Sequence, residues 1–190
     1  MSQGKIIVIS APSGSGKSTI INSILEEGCF DMDFSVSATN RNPRPGEEDG
    51  VHYHFLSTEE FRNAVDSGQF LEWEEVYPGR YYGTMRSEVD QMLRHGRNVI
   101  LDIDVRGALN VKKLYGNTAR TIFIAPPSID ELRRRLKERG TDDDDRIETR
   151  INRAAYELSL APEFDAEVVN SDLDRAIAET KTIISEHLDS

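Results

Sequence analysis

The chain has 190 residues and a formal net charge of −11, and 37% of its residues are hydrophobic. This length allows one domain with a buried core, and the acidic balance argues against binding to nucleic acid or to an acidic membrane surface. The single cysteine, Cys29, excludes an internal disulfide, and no apolar stretch approaches membrane-spanning length. We therefore expect a cytoplasmic protein whose partners are neither nucleic acids nor membranes.

The first predicted strand runs into a glycine-rich turn. The β-branched run at residues 5–10 is typical of a strand buried on both faces, and apolar residues recur at helical spacing after residue 19. A strand-to-helix turn directs backbone N–H groups at one point, which favours an anion. The pattern resembles the P-loop G-x-x-x-x-G-K-[ST], with Ala11 at its first position. It predicts a site for the phosphates of ATP or GTP, formed by Ala11, Pro12, Ser13, Gly14, Ser15, Gly16, Lys17, Ser18 and Thr19.

Alternating strand and helix patterns continue along the chain. Further strands are predicted at residues 34–37, 98–102, 120–124 and 166–169, with a closing helix after the last of them. This alternation favours a parallel α/β sheet with phosphates at the carboxyl ends of its strands. Residues 38–95 are richer in turns. They predict a small antiparallel insert with strands at 52–55, 71–76 and 80–84 and a helix at 58–67.

Arginines are concentrated in one segment of this acidic chain. They are Arg133, Arg134, Arg135, Arg139, Arg146, Arg150 and Arg153. One interpretation is that they form solvated helix faces paired with carboxylates. The other is a lid that places positive charge over a phosphoryl group in transfer. Arg41 and Arg44 also allow two interpretations. They are either exposed loop residues or part of a second phosphate site near Tyr53, Tyr81 and Tyr82.

Two carboxylates stand at the end of the predicted strand 98–102. If Asp102 and Asp104 alternate along that strand, their side chains point to opposite faces, so only one of them approaches a metal ion. The alternative is that both cap the end of the strand.

The ordered segments of the chain resemble the signatures of guanylate kinases. These segments are SAPSGSGKST, SVSATNRNPRPGEEDGVHYHF, FLEWEEVYPGRYYGT, VILDIDVRGA, IFIAPPS, LKERGT and VVNSDL. The resemblance covers nearly the whole chain, and it departs where Asn40 and Asn42 flank Arg41 in place of threonine. It implies a P-loop NTPase-type parallel sheet core at 1–37, 96–134 and 151–190. It further implies a small mixed α/β GMP-binding insert at 38–95 and a helical lid at 135–150.

The resemblance also implies the reaction and the role of each residue. ATP would phosphorylate GMP, and dGMP as well, to the diphosphate with Mg²⁺, in the supply of GTP and dGTP. The catalytic residues would be Lys17, Arg135, Arg139 and Arg150, the metal ligands Ser18 and Asp102, and the residue near adenine Asn170. The GMP-binding residues would be Ser37, Arg41, Arg44, Tyr53, Glu72, Tyr82, Thr84 and Asp104. The sequence does not fix the oligomeric state, and a homodimer is one alternative.

The chemistry of guanine gives Glu72 a physical role. Guanine presents an N–H and an NH₂ on one edge, and one carboxylate accepts both, whereas adenine presents an acceptor at the matching ring nitrogen. Two other functions compete with this interpretation. One is a P-loop kinase for another phosphate, such as a ribosyl bisphosphate, and the other is a guanylate-kinase-like module that binds phosphopeptides. Neither function accounts for the P-loop, the guanine-facing residues Ser37, Glu72 and Thr84, and the lid together.

Overall fold

The computed structural model describes residues 4–140 and 143–190. Its strands, in chain order, are β1 Ile6–Ser10, β2 Met32–Phe34, β3 Ala38–Thr39, β4 His54–Phe55, β5 Phe70–Tyr77, β6 Arg80–Met85, β7 Asn98–Asp102, β8 Ala119–Ala125 and β9 Ala166–Val169. Its α-helices are α1 Lys17–Glu27, α2 Thr58–Asp66, α3 Arg86–Arg94, α4 Val105–Tyr115, α5 Ile129–Glu138, α6 Asp144–Ser159 and α7 Leu173–Leu188. Within the described ranges, no helix combines the length and the apolar character that a bilayer span requires.

A five-stranded sheet has the order β2-β7-β1-β8-β9. The pairs β2–β7 and β8–β9 are parallel. Every residue of β1 is buried, as are nearly all residues of β8. Burial on both faces explains why these strands are almost continuous apolar runs instead of alternating patterns. The predicted parallel α/β core is confirmed.

The chain divides into two compact units. One comprises the residues up to Val8 together with Asp31–Ala119, and the other comprises Ile9–Phe30 and Arg120–Ser190. In the first unit a four-stranded sheet has the order β4-β3-β6-β5. The pairs β3–β6 and β5–β6 are antiparallel, but β3–β4 is parallel. The expectation of a purely antiparallel insert is therefore wrong at this edge, where the long connection at 40–53 returns the chain in the same direction.

Several element boundaries differ from the predictions. The strand expected at 34–37 lies at Met32–Phe34, and the strand expected at 52–55 is reduced to His54–Phe55. Strand β3 and helix α3 were not predicted. Helix α3 buries Val89 and Leu93, which are four residues apart, so its apolar face is only one short stripe.

An aromatic cluster fixes helix α2 on the four-stranded sheet. The Phe61 ring stacks on Phe70 with centroids 4.4 Å apart and on Tyr81 at 5.6 Å. Helix α2 begins with a capping box, in which the Ser57 side chain accepts from the Glu60 amide and the Glu60 carboxylate accepts from the Ser57 amide. These contacts hold the helix at one register, and through the sheet they fix the side chains on β5 and β6.

The second unit contains its own apolar cluster between α5 and α6. Leu132 and Leu136 of α5 pack with Ile147, Ile151 and Ala154 of α6, and all of them are buried. Both helices have their apolar residues at spacings of three and four, so each presents one stripe to the other. The arginines of this segment therefore lie on the remaining faces of two helices that share a core.

Removing the Phe61 ring tests how far this cluster supports the first unit. We expect Phe61→Ala to lower the free energy of unfolding by about 3–5 kcal/mol, because the buried ring leaves a cavity. Urea denaturation measures the change. The control is Arg62→Ala at the exposed neighbouring position, with an expected change within about 0.5 kcal/mol. Equal losses of unfolding free energy in the two variants would contradict the stabilising role of the Phe61 ring.

Candidate functional site

In the first unit, the predicted guanine-binding side chains lie together on the four-stranded sheet. Glu72 on β5 and Thr84 on β6 are directly opposed across the antiparallel pair. The Thr84 hydroxyl donates to Glu72 Oε1 at 2.6 Å, and Thr84 is fully buried. Ser37, just before β3, is also buried. Glu72 is not a solvated strand carboxylate, because only 7% of this residue is exposed.

Burial changes the acid–base behaviour of this carboxyl group. Loss of hydration raises the pKa of Glu72 from its ordinary value of 4.5 to about 7. The hydrogen bond from Thr84 acts in the opposite direction, and the nearby charge of Asp104 adds to the increase. Glu72 is thus poised between its neutral and ionised forms near neutral pH, and a ligand with two N–H donors would favour the ionised form.

Asp104 lies close to this carboxylate, although not on a strand. Strand β7 ends at Asp102, and Asp104 is the N-cap of helix α4. The Gly107 amide donates to Asp104 Oδ1 at 2.8 Å. The prediction that the two aspartates alternate along one strand is therefore wrong, because the chain leaves the sheet before Asp104. The alternative of two strand-end caps does not describe Asp104 either, because this residue caps the N-terminus of helix α4.

The predicted phosphate-binding arginine is held by a carboxylate. Arg41 donates through both Nη atoms to the two oxygens of Glu47, at 2.6 and 2.7 Å. The Arg44 amide donates to the same carboxylate at 2.7 Å. These bonds keep the pKa of Glu47 down at about 2 and raise the pKa of Arg41. The Arg41 side chain is only 8% exposed, so it is not a free loop arginine.

Aromatic rings surround the same guanidinium group. Its carbon lies 4.8 Å from the centroid of the Tyr53 ring and 5.6 Å from that of Phe55. Tyr53 in turn contacts Tyr82, with centroids 5.9 Å apart. Burial raises the pKa of Tyr53. The structure therefore brings Arg41, Tyr53 and Tyr82 together, as the phosphate-site prediction requires, while the side chain of Arg44 is exposed.

In the second unit, the glycine-rich turn leads to an open helix end. Gly14 and Gly16 have φ values of +96° and +92°, which side chains disfavour. Helix α1 begins at Lys17 with no capping side chain and no acidic residue in its first turn. Five other helices, α2, α4, α5, α6 and α7, are capped at their N-termini by a side chain. The capping residues are Ser57, Asp104, Ser128, Asp143 and Asp172, respectively. The uncapped N–H groups and helix dipole of α1 favour a bound anion.

The side chain of Asn170 is hydrogen-bonded to this glycine-rich turn. Its side-chain amide donates to the Ser15 carbonyl at 2.7 Å, and the residue is buried. A methyl group at Gly16 would lie 2.3 Å from Asn170 Nδ2, so the contact requires glycine there. Arg135 donates to the Asn170 carbonyl at 3.0 Å. The predicted role of Asn170 beside adenine stays a prediction, and the bonds present make it a support of the phosphate turn.

The clustered arginines separate into two groups. Arg150 donates to the Ser13 hydroxyl of the turn, at 2.5 Å. Arg135 belongs to both groups, because it donates to the Asn170 carbonyl and also to Glu131 Oε1, the latter at 2.8 Å. The solvated-face interpretation fits Arg133, Arg134 and Arg146, which pair with Glu148, with Glu131 and Glu138, and with the N-cap residue Asp143, respectively. It does not fit Arg153, because its partner Glu157 is buried. Arg139 is exposed at the end of α5. Residues 141 and 142 of the predicted lid lie outside the described residues.

Three contacts were not anticipated from the sequence. They are the pairing of Glu47 with Arg41, the placement of Gly107 beside Glu72, and the bond between Ser13 and Arg150. A signal existed for the first, since a glutamate three residues after Arg44 is placed to accept from that backbone amide. The other two join residues far apart in the chain, and no local pattern indicates them.

The parallel sheet, the strand-to-helix glycine turn and the uncapped α1 define a P-loop nucleotide-binding fold. A family model described as guanylate kinase matches residues 3–187. A guanylate kinase of Bacteroides thetaiotaomicron is 54% identical over 97% of this chain and 90% of its own length. One from Salinibacter ruber is 54% identical over 100% of both chains. The crystal structure of guanylate kinase from Anaplasma phagocytophilum has a TM-score of 0.82 and 32% identity, covering 100% of this chain and 89% of that one. The chain belongs to the guanylate kinase family.

The raised pKa of Glu72 predicts a specific dependence of stability on pH. The folded pKa of about 7 exceeds the ordinary 4.5, so the native state binds more protons between these values. The contribution of this group to stability is therefore greatest below about pH 4.5 and falls as pH rises toward 7. Glu72→Gln stays neutral throughout. We expect its free energy of unfolding, relative to the parent, to increase by about 2 kcal/mol between pH 5 and pH 8.

Urea denaturation at a series of pH values measures this difference. The matched control is Glu59→Gln on the exposed face of helix α2. A difference between Glu72→Gln and the parent that does not change with pH would contradict the assigned state of Glu72.

Proposed function

We propose that the chain transfers the terminal phosphoryl group of ATP to GMP, which yields ADP and GDP, and that dGMP is a second acceptor. The observation that carries this proposal is the buried Glu72 carboxylate beside Thr84, in the same unit as the aromatic-lined Arg41. Membership of the guanylate kinase family supports it. GDP formed in this way supplies GTP, and the deoxy product supplies dGTP.

Guanine is selected by hydrogen bonds to buried groups. The free oxygen positions of Glu72 accept the ring N–H and the amino group of guanine, while Thr84 and Ser37 supply neighbouring hydroxyls. Asp104 offers a further acceptor close to Glu72. Adenine would place a ring acceptor against the carboxylate and leave the buried group unsatisfied, at a cost of about 1–3 kcal/mol.

The phosphate of GMP binds at the guanidinium group of Arg41. The planar guanidinium group of this residue already donates to both oxygens of the Glu47 carboxylate, which is the geometry in which arginine binds phosphate. Tyr53 and Tyr82 provide hydroxyl groups at the same place, and Arg44 adds positive charge from its exposed position. The division of the chain into core, GMP-binding insert and lid stays part of this proposal.

ATP binds through the glycine-rich turn of the second unit. The turn at residues 11–19 contacts its phosphates through backbone N–H groups of its non-proline residues and through the Lys17 ammonium group, and Asn170 contributes on the adenine side. The exposed Ser18 hydroxyl is an oxygen ligand of the kind that Mg²⁺ prefers, and we assign Asp102 as a second one. No group of three or more His, Cys, Asp or Glu residues in the described part of the chain is arranged to hold a metal. The oxygen donors of Ser18 and Asp102 would suit a magnesium ion that arrives with ATP, and such an ion would withdraw charge from the phosphates.

Phosphoryl transfer requires positioning and positive charge more than a general base. The transition state is loose, with negative charge spread over the transferred oxygens. Lys17, Arg135, Arg139 and Arg150 supply the compensating charge. The hydrogen bond from Arg150 to Ser13 supports this assignment, because it places the guanidinium group on the phosphate turn itself. We further assign the enzyme to the cytoplasm and keep a homodimer as one alternative for its assembly.

The acceptor specificity tests the function most simply. ADP formation is measured with ATP, Mg²⁺ and each of GMP, dGMP, AMP, CMP and UMP. We expect GMP to exceed AMP by about ten- to a hundredfold in kcat/KM, because a site built to accept from N–H donors rejects a base that lacks them. Equal or better activity with AMP would overturn the proposal.

The arginine assignment is tested by separating binding from turnover. We expect Arg150→Ala to lower kcat by about a hundredfold, with a much smaller change in the Kd for ATP or GMP, because its charge acts mainly in the transition state. Arg134→Ala is the matched control, since its partners are the carboxylates of Glu131 and Glu138. If Arg150→Ala weakens binding and leaves kcat unchanged, Arg150 is only a binding residue.

A further inference from the structure

Gly107 lies against the carboxylate that we assign to guanine. It is the third residue of helix α4 and is buried. A methyl group at this position would lie 2.3 Å from Glu72 Oε2 and 3.4 Å from Asp104 Oδ1. The first separation is shorter than any carbon–oxygen contact between unbonded groups. A side chain at residue 107 and the observed position of Glu72 therefore exclude each other.

The backbone of α4 does not itself require glycine at this position. Gly107 does not have a positive φ, and it lies inside a regular helical turn. Alanine would favour the helix by about 1 kcal/mol over glycine. The chain forgoes this gain at a position where the nearest obstacle to a side chain is the Glu72 carboxyl group.

We propose that Gly107 is a positioning residue for guanine selection. Because it has no side chain, the Glu72 carboxylate lies over the first turn of α4, with Oε1 held by the Thr84 hydroxyl. In this position Oε2 is beside Asp104, and the N-terminal turn of the helix favours the negative charge. The inference rests on the proposed function, since it assigns Gly107 a role in placing the acceptor for the ring N–H and amino groups of guanine.

The replacement of Gly107 by alanine should displace the carboxylate without unfolding the helix. The contacting atom is the end of a flexible glutamate side chain, so the side chain rotates while the backbone stays. GMP binding should weaken because Glu72 no longer faces both donors. Inosine monophosphate lacks the amino group, so it should lose less, and the preference for GMP over this analogue should shrink.

The experiment compares the parent, Gly107→Ala and the control Asn110→Ala, an exposed position on the same helix. We expect Gly107→Ala to raise the KM for GMP about tenfold and to cut the preference for GMP over inosine monophosphate by a smaller factor. Its kcat and its KM for ATP should stay near the parent values. Asn110→Ala should match the parent in all of these quantities. Unchanged KM and unchanged preference in Gly107→Ala would overturn the inference.

A thermal unfolding cycle tests the contact independently of activity. Gly107→Ala is made in the parent and in Glu72→Ala, and Tm is measured for all four proteins. In the Glu72→Ala background alanine should raise Tm, because the helix gains and the obstacle is gone, whereas in the parent Tm should rise less or fall. The same change in both backgrounds would overturn the inference. A parent that does not phosphorylate GMP overturns the proposed function, and the cycle still decides whether Gly107 positions Glu72.

Discussion

A carboxylate buried in a protein must be neutralised or surrounded by donors, and this constraint shapes the first unit around Glu72. One hydroxyl, from Thr84, reaches it, and the residue is 7% exposed. Strand pairing places Thr84 opposite, the aromatic cluster under α2 holds the strands, and Gly107 leaves room for the second oxygen. A ligand with paired N–H donors would stabilise the ionised form of this buried carboxyl group.

Unlike the Glu72 carboxylate, several guanidinium groups in the described part of the chain are paired with groups of opposite charge. Arg41 is balanced by Glu47, and most arginines of α5 and α6 are balanced by carboxylates on the same two helices. Arg150 donates to the Ser13 hydroxyl in the glycine-rich turn, which precedes a helix end that carries no capping side chain. Anionic phosphates are the ligands that this combination favours.

The sequence predicts the elements whose signals are local. The strand, glycine turn and helix at the start, and β7 and β9, follow from apolar runs and turn residues. Family signatures led to Glu72, Thr84 and Arg41, which the fold brings into two small clusters. The parallel β3–β4 pair, the cap formed by Asp104 and the contact with Gly107 were not predictable, since each depends on how distant segments meet. The same holds for which arginines pair and which reach the turn.

Proton release on GMP binding tests the central claim that an ionised Glu72 accepts the guanine edge. Isothermal titration calorimetry at pH 6.5 in buffers of different ionisation enthalpy measures how many protons are released per GMP bound. It is carried out for the parent and for Glu72→Gln. Subtracting the two values removes the contribution of the GMP phosphate, which is the same in both. With a pKa of about 7 in the free protein, the parent should release about three-quarters of a proton more than the variant. Equal release by the two proteins would contradict the account.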